Sequence, residues 1–128
     1  MAKKVTKISK TPKKVQDASD VTMTAYQTAR ERLKEIIDVC ERFKVGETGV
    51  ACKDRLAQSD YRTIYDDIEP LYKSKNVTLI NQLESLLIRY AMRYHADKCD
   101  NLSHHSHGKI EVENADIYYR VYVVYKLK

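Results

Sequence analysis

The stretch Phe43-Lys44-Val45-Gly46-Glu47-Thr48-Gly49 decides how the rest of the chain is read. Phe43 and Val45 alternate with Lys44, so residues 43 to 46 predict a short strand. Gly46 and Gly49 supply the backbone freedom that a turn into a helix requires. The helix is expected over about residues 50 to 66, where Cys52, Leu56, Ile64 and Ile68 make a ragged apolar stripe and Arg55 rides on the first turns. Glu84 follows Arg55 by 29 positions, inside Asn81-Gln82-Leu83-Glu84-Ser85-Leu86-Leu87-Ile88. A guanidinium that stays charged at any pH and a carboxylate that can ligate a hard cation together suit phosphodiester chemistry.

Working outward, residues 22 to 42 place Tyr26, Ala29, Leu33, Ile36, Ile37 and Cys40 at helical spacing, with Ser19, Asp20 or Thr22 as candidate caps. A short strand is expected near residues 69 to 73, where Pro70 has no N–H to donate and therefore belongs at an edge or a strand start. Residues 77 to 95 form the strongest helical pattern: Leu79, Ile80, Leu83, Leu86, Leu87, Tyr90, Ala91 and Tyr94 mark one face, Asn76 is the N-cap, and Glu84 lies beside the stripe. Residues 117 to 127 alternate almost without fault, Ile117, Tyr119, Val121, Val123, Tyr125 and Leu127 facing one way. The intervening residues 96 to 116 are too long for an ordinary connection and contain Asp97, Cys99, Asp100, Asn101, His104, His105 and His107. Cys99 and three close histidines raise a zinc reading, but without paired Cys-x-x-Cys spacing a polar loop is the expectation.

The chain of 128 residues suits one domain with a single core. It contains no long apolar run, and its Lys-rich start lacks the hydrophobic segment of a secretory signal, so a cytoplasmic protein without a membrane partner is expected. Cys40, Cys52 and Cys99 are odd in number and unpaired in spacing, which reads as reduced thiols. The net charge of +5 is uneven: Lys3, Lys4, Lys7, Lys10, Lys13 and Lys14 stand in a segment without acids, leaving 17 basic against the 18 acidic residues of the chain. Residues 1 to 18 are therefore expected to be a flexible basic arm ahead of a domain at 19 to 128, and those lysines to bind nucleic-acid phosphates. The arm could equally serve solubility or assembly, and the helix at 22 to 42 offers a second surface for protein partners.

Between residues 43 and 101 the chain resembles the GIY-YIG endonuclease superfamily, in the variant whose second signature reads Lys-hydrophobic-Gly, here Lys44-Val45-Gly46. The resemblance implies an α+β fold, a small mostly antiparallel three-stranded sheet flanked by about three helices. It implies Arg55 as the residue that stabilises charge on the phosphate, Glu84 as the ligand of Mg²⁺ or another divalent ion with no organic cofactor, and Asn101 as support after the Glu84 helix. Tyr61 or a tyrosine of the last strand would be the base, or Lys44 if its pKa were lowered far enough. The pattern departs from the family in two ways. The first signature strand, Gly-Ile-Tyr, should precede Gly46, where residues 22 to 42 read as helix, and the position one turn after Arg55 is Ser59, with Tyr61 two residues late. The C-terminal strand offers a replacement, pairing beside residues 43 to 46 in permuted order with Tyr118, Tyr119 or Tyr122 standing for the absent tyrosine. The function implied is a metal-dependent endonuclease acting on nucleic acid, DNA foremost. The alternative is a catalytically inactive GIY-YIG-like domain, serving as a DNA-associated or assembly protein of a phage or mobile element and then virion-associated.

Overall fold

The computed structural model describes residues 18–49, 52–57, 61–102 and 118–128, apart from the side chains of residues 18–21 and 53–55. The basic arm and the three histidines lie outside the described residues. The elements run α1 (Ala18–Val39), β1 (Cys40–Thr48), α2 (Cys52–Ala57), α3 (Tyr61–Ile64), β2 (Asp67–Ser74), α4 (Val77–Tyr94) and β3 (Tyr119–Leu127). The strands form one antiparallel sheet in the order β1-β3-β2, so the last strand in sequence is the central one. The α+β fold expected from the sequence is thus observed, with a three-stranded antiparallel sheet between two layers of helix.

The register explains how β3 serves both neighbours. Val123 sits opposite Val45 of β1 and Glu69 of β2, and Tyr122 opposite Gly46 and Pro70. Side chains alternate across the sheet. Tyr119, Val121 and Val123 join Phe43, Val45 and the apolar faces of α1 and α4 in the larger core, while Tyr122 and Val124 join Tyr61 and Tyr65 in a smaller cluster on the other face. The first of these faces agrees with the alternation read from residues 117 to 127.

Two features differ from the sequence reading, each because tertiary pairing overrode local pattern. Helix α1 ends at Val39, three residues early, because Cys40 to Arg42 pair with Leu127 and Lys126 across a bulge and extend β1 backwards. Cys40 satisfies the helical stripe and the strand pattern equally, so periodicity could not separate them. Of the helix expected over residues 50 to 66, α2 and α3 are described, and residues 58 to 60 between them lie outside the described residues. Cys52 and Leu56 of α2 and Tyr61 of α3 reach the same cluster. Residues 98 to 101 are no simple loop: Phe43 N donates to Lys98 O at 3.0 Å and Asp100 N to Phe43 O at 2.8 Å, so this segment runs parallel along the outer edge of β1.

Other expectations stand. α4 starts at its Asn76 cap, whose side chain accepts from Leu79 N at 3.0 Å. Pro70 lies on the edge strand β2 beside a bulge. The three thiols are free, Cys40 buried and Cys52 and Cys99 half-buried. No helix among the described residues is long and apolar enough to cross a membrane.

Candidate active site

Lys44, Gly46 and Tyr122 share the sheet face covered by α2 and α3, because Gly46 is directly opposite Tyr122 and Lys44 is two residues from it. The Tyr122 ring lies across Gly46: a Cβ built there would stand 2.5 Å from Tyr122 Cζ. Any larger residue would collide with a ring that has no exposed surface. Gly46 is needed for this close approach and not for the turn expected there, since β1 runs past it to Thr48.

From this contact the cluster grows outward. Tyr122 Oη is 3.4 Å from Tyr61 Oη, with the two rings edge to face at 6.4 Å. The Lys44 ammonium stands 5.6 Å from the centre of the Tyr61 ring, close enough for the ring's negative face to attract it. Tyr61 also meets Tyr65 edge to face at 5.8 Å. Tyr65 donates its hydroxyl to Asp100 at 2.7 Å, and Arg42 Nε donates to the same oxygen at 2.7 Å. Burial first, and then the hydrogen bond to Asp100, push the Tyr65 hydroxyl far above the usual tyrosine range. Tyr65 therefore stays protonated and acts as an anchor for the segment after α4.

Asn101 braces the strand from its other edge. Its Nδ2 donates to Val45 O and its Oδ1 accepts from Val45 N, both at 2.9 Å, and Cys99 Sγ donates to the same Oδ1 at 3.5 Å. The amide is 5 % exposed and committed to the backbone between Lys44 and Gly46. It positions the strand, as the support expected after the Glu84 helix would, and does not present itself to a substrate.

Arg55 lies in α2, which packs through Cys52 and Leu56 onto the cluster of Tyr61, Tyr65 and Tyr122; its own side chain is outside the described residues. Glu84 lies on α4, against the opposite face of the sheet, with 0 % exposure. It was expected at the rim of the buried surface and is instead enclosed. The reason is that α1 packs on α4 as well as the sheet does, so residues flanking the apolar stripe are covered too. Thr22 of α1 donates to Gln82 of α4 at 3.0 Å across that contact. Glu47, opposite Val121 and hence on the same side of the sheet as α4, is a second carboxylate at 8 % exposure. Sequence reasoning missed it, although a glutamate at an inward position of an alternating strand is a recognisable signal.

Among the described residues no group of three or more His, Cys, Asp or Glu side chains could hold a metal ion. Glu47 and Glu84 are nevertheless hard oxygen donors of the type Mg²⁺ takes, and that ion needs only one or two carboxylates beside its waters. No family model matches the chain, and no curated protein or solved structure matches it.

Proposed function

We propose that this protein is a GIY-YIG-like domain of the Lys-hydrophobic-Gly variant in permuted strand order, and that it hydrolyses nucleic-acid phosphodiesters with the help of a divalent cation. One observation carries the reading: β3 runs antiparallel beside β1 with Tyr122 packed across Gly46, which supports a strand from the C-terminus standing where the family's first signature strand would be. That strand brings a tyrosine to Lys44 and Tyr61 on the face packed by the helix bearing Arg55. In this reading Arg55 contacts phosphate oxygens and stabilises the charge that grows on them. Tyr61 and Tyr122, joined through their hydroxyls, and Lys44 beside them are the groups that can hold or relay a proton near the attacking water. Asn101 keeps the strand carrying Lys44 in place. Glu84, enclosed on the sheet face opposite the Lys44, Tyr61 and Tyr122 cluster and the Arg55 helix, is not placed to hold a divalent ion at the phosphate that Arg55 would contact.

The complete burial of Glu84 favours a second reading, a catalytically silent domain of the same fold that serves as a DNA-associated or assembly protein. Cleavage separates the two. Full-length protein incubated with plasmid DNA and with RNA in Mg²⁺ or Mn²⁺ should nick or cut at least one of them. Arg55→Ala should lower the rate about 100-fold or more while its melting temperature stays near that of the parent. No cleavage under any of these conditions overturns the hydrolase reading and leaves the silent domain.

A further inference from the structure

The body of the chain is nearly neutral, but its cations are not evenly placed. Among the described residues, the acids Glu35, Asp38, Glu69 and Asp100 are occupied by Arg32, Lys34 and Arg42. Lys73, Lys75 and Arg120 have no acidic partner among the described residues. They gather at one end of the sheet: Lys73 of β2 is directly opposite Arg120 of β3, and Arg120 is also opposite Thr48 of β1. The ammonium groups of Lys73 and Lys75 stand 5.1 and 5.2 Å from the centre of the Tyr118 ring, and Arg120 Nη1 donates to Tyr118 O at 3.4 Å. Tyr118 is 45 % exposed. Two cations thus stand at one accessible aromatic ring, and a third bonds the backbone of the same residue.

This patch continues the candidate site. Arg120 is two residues from Tyr122 on the same sheet face, a step of about 7 Å along a strand. It also lies near the start of α2, where its charge bears on Cys52. From the Lys44, Tyr61 and Tyr122 cluster the face therefore runs over Arg120 to Tyr118, with Lys73 and Lys75 at the far end.

We infer that Tyr118, Lys73, Lys75 and Arg120 form a contact surface for an unpaired nucleotide strand, with a base stacked on Tyr118 and the cations on its flanking phosphates. Every base has a π-face and every linkage a negative charge, so an exposed ring set among cations without acidic partners suits this ligand, whatever its sequence. An acidic peptide would satisfy the cations but leave the ring unused. The inference rests on the nucleic-acid part of the proposed function and extends it, assigning strand contact to the folded domain in addition to the basic arm.

The test compares variants of the full-length chain by fluorescence anisotropy with a labelled oligothymidylate and with an abasic strand of equal length. Tyr118→Ala should weaken oligothymidylate binding about 5- to 160-fold, the range of one lost base stack, and leave abasic binding unchanged. Tyr118→Phe should bind as the parent does. Lys73→Gln with Lys75→Gln should lower the slope of log affinity against log salt by about 0.7 for each lysine that touches a phosphate. These side chains are at the surface, so thermal melts should coincide and confirm folding. Equal binding by Tyr118→Ala and parent, an equal loss on both strands, or competition by polyglutamate as strong as by oligothymidylate would overturn the inference while leaving the hydrolase reading intact. Failure of the parent to bind any nucleic acid would overturn both.

Discussion

At the scale of single residues, the tightest constraint is the pair Gly46 and Tyr122. The glycine has no Cβ because the tyrosine ring occupies that space, and the ring is fixed because its hydroxyl reaches Tyr61. Gly46→Ala should therefore destabilise the protein by about 1–3 kcal/mol, the usual cost of overpacking a closed core. Tyr122→Leu removes the ring that Ala would strike. In a double-mutant cycle read by urea denaturation, the Gly46→Ala cost should shrink by about 0.5–3 kcal/mol in the Leu background. Strict additivity would show that the glycine is required by backbone conformation and not by the ring.

At the scale of elements, β1 is held from both sides. β3 pairs along its inner edge, while residues 98 to 101 and the Asn101 amide occupy the outer edge at Phe43 and Val45. Covering that edge removes a row of backbone groups that would otherwise be open to pairing with another chain. β3 is indispensable in a different way, being, among the described residues, the strand that pairs with both others. Its Tyr119, Val121, Tyr122, Val123 and Val124 are all buried. At about 1.5–3 kcal/mol each they rival the total stability of a domain, about 5–15 kcal/mol. A chain truncated before residue 118 should lose its cooperative thermal transition and its near-ultraviolet circular dichroism. A truncated chain that melts at the temperature of the parent would refute the central role of this strand.

At the scale of the whole molecule, the sheet separates two environments. One face is sealed by α1 and α4 around an aliphatic core that also encloses Glu84; the other carries Lys44, the tyrosine cluster, Arg120 and Lys73, with α2 and α3 packed on the tyrosine cluster. Charge is separated as well, since the six lysines of residues 1 to 16 leave the remainder with one more acid than base. Deleting residues 1 to 16 should weaken non-specific binding to duplex DNA. It should also flatten the salt dependence by about 0.9 in slope for each lysine that contacts a phosphate. Unchanged affinity and slope would assign duplex contact to the folded body alone. Loss of this term should leave the effect of Tyr118→Ala on single strands in place, because stacking carries no counterion release.

The sequence alone determined the features that repeat over one element. The helix at 77 to 94, its Asn76 cap, the alternation of the last strand and the edge position of Pro70 are all legible, because each follows from a local period or a missing donor. The candidate site was legible in part: Lys44, Gly46, Tyr61 and Asn101 were singled out, and the last strand was considered as the source of a further tyrosine. Only the tertiary structure decided that Tyr122, and not Tyr118 or Tyr119, is the tyrosine that lies across Gly46 and reaches Tyr61, since that choice depends on the register between strands 76 residues apart. It likewise decided that Glu84 is enclosed and that Asp100 ties Arg42 to Tyr65, facts set by how α1 and the segment after α4 pack on the sheet. Periodicity tells which way a side chain points from its own element; what lies there depends on distant parts of the chain, which no local pattern encodes.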